Sequence, residues 1–187
     1  VIAAFVGNPG YSNSGDFLAQ TVADAGVSIG LTSSHPSSTY GQGVTFTATV
    51  AADDDSLDDP TGHVQFRVDG VALGGAVALS GGSATSPSTT TLTPGTHTVT
   101  AVYSGSALFE GESASLTQSV GKISTTTTLT ATPNSVNFGQ SVQLTAKVTP
   151  GSTGLGAPTG TVTFTDGSTT LGQVVVITDH ASHVREM

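Results

Sequence analysis

The chain has no cysteine and no tryptophan, a single methionine, and only four lysines and arginines in 187 residues. Without cysteine there is no disulfide, no thiolate zinc site and no cysteine nucleophile. Four cationic residues against thirteen acidic ones leave a formal charge of −9. That balance disfavours nucleic acid and anionic membrane surfaces as partners, since both are held by clustered cations. No apolar run approaches the ~20 residues needed to cross a bilayer, so no transmembrane segment is expected in this chain. The opening VIAAFVGNPG has neither an initiator methionine nor the basic flank of a signal peptide. Any export signal is expected outside this sequence.

What is abundant is threonine, serine and glycine, while charged residues make up only 9%. Disordered chains carry more charge and less valine and threonine, so this composition points to an all-β protein. A shift of 98 residues lays DPTGHVQFRVDGVALGGAV (59–77) on APTGTVTFTDGSTTLGQVV (157–175). The same shift sets YGQGVTFTATV (40–50) on FGQSVQLTAKV (138–148), and VIAAFVG…LAQTV (1–22) on VTAVYSG…LTQSV (99–120). One offset without a gap covers all three, which is the mark of an internal repeat. The expected organisation is the end of one repeat at 1–22, a whole repeat at 23–121 and the start of a third at 122–177. Residues 178–187, TDHASHVREM, fall out of the pattern where the whole repeat reads SGGSATSPST. They read as a frameshift or an assembly edge, with no structure expected.

Within the whole repeat, Val44, Phe46, Ala48 and Val50 alternate with Thr45, Thr47 and Thr49. Val64, Phe66 and Val68 alternate with Gln65 and Arg67, and Val99, Ala101 and Tyr103 form a third such face. Period-two alternation marks half-buried antiparallel strands. Strands are expected at 44–50, 63–68 and 98–103, with weaker ones near 27–33, 76–79, 84–92 and 115–121. DPTG, DG, SGG, TPGT and SGS supply the turns between them. Seven short strands in about a hundred residues predict a Greek-key β-sandwich. Phe46, Phe66 and Tyr103 are its expected central packing, because no cystine–tryptophan pair exists to fill that place. The thirteen-acid surface aside, outward threonines keep the strands polar and extended.

PTGTVTFTDG (158–167), then LG (171–172), PGTHTVTAVYSG (94–105) and the closing LTQSV (116–120) resemble the tandem bacterial Ig-like domains of secreted and surface proteins. The resemblance covers residues 1–177. It implies an Ig-like fold, an extracellular or cell-surface location and a non-enzymatic role as spacer, stalk or adhesion module. The family carries no common catalytic residues, so none is transferred to this chain.

Three local motifs carry residue types capable of chemistry. Gly26-Val27-Ser28-Ile29-Gly30 has the letters of a nucleophile elbow, but LTSSHPSST after it is no helix, and the elbow needs a strand-to-helix turn. The segment is expected to be a linker running into a strand. The histidines are expected apart: His35 and His97 at one end of the sandwich, His63 at the other, and His180 and His183 in the tail. The acidic loop is the most chemical feature. Asp53, Asp55, Asp58 and Asp59, with Glu110 and Glu112 from a neighbouring loop, are the candidate oxygen ligands for Ca²⁺, which takes six to eight. The equivalent loop, 151–157, carries no charge, so the fold itself does not require those acids.

The functional expectation is therefore a non-catalytic stalk repeat whose partners are neighbouring repeats of the same protein. The alternative is a module that binds carbohydrate or a host protein through its loops, with Phe109 and Tyr11 as the aromatic candidates. Residues 1–22 carry the last two strands of a repeat, and the third repeat carries its first strands. Pairing head to tail between chains is conceivable on that basis, with the fifth strand of the completed sandwich expected to be missing.

Overall fold

The computed structural model describes residues 1–186, with the backbone only over 180–186. In chain order the strands are β1 (Ile2–Phe5), β2 (Ser14–Phe17), β3 (Val27–Ser33), β4 (Ser37–Thr39), β5 (Phe46–Ala52) and β6 (His63–Val68). There follow β7 (Val71–Ala72), β8 (Val77–Ala78), β9 (Ser83–Thr85), β10 (Gly95–Tyr103) and β11 (Glu112–Gly121). The last are β12 (Thr125–Thr132), β13 (Ser141–Pro150), β14 (Thr161–Asp166), β15 (Thr169–Val175) and β16 (His180–Glu186). Among the described residues there is no helix. The protein is all-β, with the Greek-key sandwich as its architecture: one sheet runs β3-β5-β9, the other β4-β11-β10-β6-β7 with β8 also on β6.

The chain divides into two compact units, one of residues 1–34, 45–87 and 98–116, the other of 35–44, 88–97 and 117 onward. In the first, β3 and β5 pair antiparallel with Leu31 opposite Ala48, and β9 pairs β5 with Ala84 opposite Ala48. β10 lies antiparallel to β6, with Ala101 opposite Phe66 and Tyr103 opposite Val64. The alternation read in the sequence becomes burial: Phe46, Ala48, Val64, Phe66, Val99, Ala101 and Tyr103 are all essentially inaccessible. Each large side chain so buried contributes about 1.5–3 kcal/mol. Tyr103 keeps its polar end satisfied by donating its hydroxyl to the Thr61 carbonyl. Between β6 and β7, Asp69 and Gly70 both take positive φ (49° and 81°). That is the two-residue hairpin turn for which Asp-Gly is suited, and Asp69 Oδ1 also accepts from the Thr98 amide at 2.9 Å. The same unit holds the β1–β2 hairpin, with Ile2 opposite Phe17. Thr100 and Ser115, 98 residues on from this pair, share a 3.0 Å hydroxyl hydrogen bond.

The second unit contains a strand that the sequence did not announce. β4 runs parallel to the end of β11, Ser119 opposite Ser37 and Gly121 opposite Thr39. Ser37-Ser38-Thr39 has no apolar alternation, and its partner is parallel, so no periodic signal exists to find it. What holds it is Gln118, a fully buried polar side chain. Its Nε2 donates to the His35 carbonyl at 2.7 Å and to Ser38 Oγ at 3.2 Å. The expected strand over 84–92 is likewise shortened to β9, followed by an isolated bridge between Val44 and Thr89.

Beyond β11 the repeat recurs with the same register. Leu129 stands opposite Ala146 on β12 and β13, as Leu31 does opposite Ala48. Even a side-chain bond is reproduced: Thr32 Oγ1 donates to the Thr47 carbonyl and Thr130 Oγ1 to the Thr145 carbonyl, both at 3.3 Å. β12-β13-β16 and β14-β15 are its two sheets. Its small core is Ala146, Val148, Phe164 and Val176, with Leu144, Val162, Leu171 and Val174 packed around them.

The tail was expected to lack structure, and instead its backbone forms β16 against β13. The reason is a register one residue out of phase with the repeat. In the first copy Gly81 and Gly82 take positive φ and Ala84 follows opposite Ala48. In the tail Thr178 and Asp179 take positive φ and Ala181 follows opposite Ala146. The turn and the alanine both recur, but at a spacing of 97 rather than 98, which a gapless comparison does not register.

Candidate functional site

The loops expected to carry function turn out to be occupied by the joints of the chain. Residues 22–26, which lead into β3, are hydrogen-bonded to the 105–111 loop rather than free. The Ala25 amide donates to the Leu108 carbonyl at 2.7 Å and the Glu110 amide donates to the Ala25 carbonyl at 2.9 Å, a parallel bridge centred on Phe109. The Asp53 amide donates to the Gly26 carbonyl at 3.1 Å, so the acidic loop closes the same joint. Phe109 is buried (4% exposed). It plugs the joint and presents no ring face to a sugar. Val22, Ala23, Leu57 and Leu108 line a cleft of about 390 Å³ beside it.

Asp55, Asp58 and Asp59 line one open cleft together with Asp54. Asp53, Asp55, Asp58, Asp59, Glu110 and Glu112 are all exposed. Among the described residues, no three Asp, Glu or His groups stand where they can share a metal ion. The Asp54 carboxyl is held below the usual aspartate range by hydrogen bonding from the Ser56 side chain and then its backbone amide, the amide contact being 2.9 Å. Asp54 thus serves its own turn. Glu112 Oε1 accepts from the Ser113 amide at 2.7 Å.

The histidines are engaged separately. His97 shares a 2.7 Å hydrogen bond with the Thr93 carbonyl, His63 opens β6, and His35 stands at the crossing from β3 to β4. The side chains of His180 and His183 lie outside the described residues. Ser28 sits within β3 opposite Ala51. An extended strand offers it neither the sharp turn nor the adjacent helix of a nucleophile elbow.

The second joint introduces a residue that sequence reasoning passed over. Leu155, in the uncharged 151–157 loop, packs against Gly41. A Cβ added at Gly41 would overlap the Leu155 side chain, and Gly41 takes φ +84°. The residue 98 positions earlier is Leu57, which lines the cleft at the first joint. SLDDP at 56–60 and GLGAP at 154–158 share only that leucine and the proline. The signal was present in the repeat comparison, as an apolar residue kept inside a loop that otherwise changes its chemistry.

A Greek-key sandwich repeated along one chain, with its loops folded onto the connections, defines an Ig-like tandem module. The chain belongs to the bacterial Ig-like domain family (group 3), whose model matches residues 31–121 and 129–183, more than half of its length. Domains of this family are structural and typically non-catalytic. Among solved structures the chain is similar to the Clostridium thermocellum CbhA fibronectin(III)-like modules. That similarity is 16% identity over 84% of this chain and 78% of that one, with a TM-score of 0.35. It is also similar to the apo structure of Bacteroides uniformis beta-glucuronidase 3, 13% identical over 84% of this chain and 21% of that one, TM-score 0.32. No curated protein matches its sequence. Among the described residues, no helix is long and apolar enough to cross a membrane.

Proposed function

We propose that the chain is a length of stalk from a bacterial extracellular or cell-surface protein, and that its repeats act as spacers joined by stiffened connections. The observation that carries this reading is Leu155 seated on Gly41. Only Lys122, Ile123 and Ser124 separate β11 from β12. A three-residue linker limits bending, and an apolar contact across it biases the joint toward one geometry. Leu155 remains 41% exposed, so its burial contributes about 1 kcal/mol, a fraction of the full value for leucine. That favours the docked joint about fivefold over an open one. Such a joint resists bending without being locked, which suits a module that holds a distal domain away from a surface.

Small-angle scattering from the whole chain tests this directly. Wild type should give a narrow pair-distance distribution, and Leu155→Ser should broaden it while leaving the buried-tyrosine fluorescence of the first sandwich unchanged. A wild-type profile already as broad as the variant's would remove the case for a stiffened spacer.

A further inference from the structure

The chain entering the whole repeat is bonded to the chain leaving it, and the direction of that pairing matters under tension. β4 and the end of β11 run parallel, Ser119 opposite Ser37 and Gly121 opposite Thr39. The Ser119 amide donates to the Pro36 carbonyl at 3.2 Å, and the Tyr40 amide to the Gly121 carbonyl at 2.9 Å. Gln118, fully buried, crosses the same pair with its side chain, donating to the His35 carbonyl at 2.7 Å and to Ser38 Oγ at 3.2 Å. The Ser38 hydroxyl donates in turn to the Ser119 carbonyl at 3.4 Å.

In a parallel pair, one strand is entered at the end opposite to that at which the other is left. Tension applied on either side of the repeat therefore draws β4 back toward Ala23 and β11 forward toward Lys122. The two strands are pulled along their own length, so their bonds strain together and all must give before either strand slides. An antiparallel pair pulled apart from one end behaves differently. β6 and β10 meet with Val64 opposite Tyr103, so pulling on the loops that lead to that end, at Asp55 and Ala107, opens the ladder one bond at a time.

We infer that the parallel β4–β11 ladder, closed by Gln118, is the element of the sandwich that bears tension along the chain. It gives a use to a strand, Ser37-Ser38-Thr39, that adds no apolar residue to the core. That use rests on the stalk reading, since a repeat held between neighbours is pulled at both ends; the measurement that tests the ladder does not.

The 187-residue chain has no cysteine, so thiol handles attach only where cysteines are introduced. Single-molecule pulling at one fixed force compares A23C/K122C, which loads β4 against β11 along their length, with D55C/A107C, which peels β6 from β10. All four positions are exposed. The first pair of handles should give the longer lifetime, because forced unfolding follows the rate of barrier crossing. Gln118→Leu added to A23C/K122C should unfold about thirtyfold faster, the rate equivalent of the ~2 kcal/mol carried by its two cross-strand bonds. Added to D55C/A107C it should change the rate less than about threefold, since those bonds are still intact at that barrier. A glutamine that only stabilises the fold would speed unfolding equally from both pairs of handles, and that result overturns the inference. So does a chain with Gln118 intact that unfolds as readily from A23C/K122C as from D55C/A107C. Scattering reports on the joint between repeats and pulling on one sandwich, so the stalk reading and the tension-bearing ladder fail separately.

Discussion

Gln118 offers the sharpest test of how the first sandwich is closed, because one buried polar side chain holds the crossing from β3 to β4. Its Nε2 donates to the His35 carbonyl at 2.7 Å and to Ser38 Oγ at 3.2 Å, and it also reaches the neighbouring Ser119 carbonyl at 3.1 Å. Gln118→Leu keeps most of the volume but removes both cross-strand donors. At a net ~1 kcal/mol per hydrogen bond, with a further penalty for a buried acceptor stripped of its donor, the loss is about 2–3 kcal/mol. The added apolar burial returns part of this, leaving a net destabilisation of about 2 kcal/mol. Gln118→Ala adds a cavity and should cost about 1 kcal/mol more. Gln118→Glu, of nearly the same shape, sets a carboxylate against carbonyl oxygens and should be the worst of the three at neutral pH. Urea unfolding followed by tyrosine fluorescence reads this cleanly. The chain has three tyrosines, at 11, 40 and 103; of these Tyr103 alone is buried, and none lies in the third repeat. The midpoint should fall in the order Leu, Ala, Glu with an unchanged slope. If Gln118→Leu unfolds together with wild type, the side chain is not what holds β4, and the account of this crossing is wrong.

Other perturbations separate the remaining claims. Thr178 is a β-branched residue at φ 47°, a conformation that costs about 1–2 kcal/mol. Thr178→Gly gives back part of that gain through chain entropy, so it should stabilise the β15–β16 turn by about 1 kcal/mol. Hydrogen exchange at the Val148 amide, which donates to the Asp179 carbonyl at 2.8 Å, should slow about fivefold; no change would mean that the turn is unstrained. Carboxyl NMR should find Asp54 titrating below the usual aspartate range, and Ser56→Ala should move it back up. Because its folded pKa is depressed, the turn is favoured at neutral pH and that support is lost as pH falls through the folded value. Calcium at millimolar concentration should leave the unfolding midpoint unchanged, since among the described residues no three Asp, Glu or His groups are placed to share an ion; an upward shift would show that the acidic loop rearranges around it. Gly41 and Gly139 share nearly the same φ, +84° and +85°, but Leu155 covers the first and nothing lies near the second. Alanine at each should strain the backbone equally, yet scattering should show an opened joint for Gly41→Ala alone.

The strands that bury one face were legible before any coordinates, because their alternation is the physical cause of their burial. β3 and β6 fall at 27–33 and 63–68 as expected, and Phe46, Phe66 and Tyr103 fill the centre. Elements held by backbone pairing or by a single polar side chain were not legible. β4 rests on a parallel ladder and on Gln118, and neither leaves a period in the sequence. β16 was hidden by one residue of slippage, although Ala181 repeats the pairing role of Ala84. At the joints, the charges of the acidic loop stand out by composition, and the apolar residues do not. Leu155, at the centre of the uncharged 151–157 loop, looks ordinary in the sequence, and only its packing on Gly41 marks it out.

The repeat makes it possible to separate what the sandwich requires from what each joint has been free to change. Positions paired across β3 and β5 recur across β12 and β13 down to the threonine-to-carbonyl bond, because a change there would disturb the ladder and the core together. The loop after β5 holds five aspartates between Asp53 and Asp59, whereas the loop after β13 holds none between residues 151 and 157. Both nevertheless keep a leucine at the joint. A solvent-exposed loop tolerates either composition at little cost, since exposed charges are screened and interact weakly. An apolar contact across a three-residue linker is different: without it, the linker alone would set the angle between neighbours. That one side chain ties the second joint, while the surface around it differs in charge between the two copies.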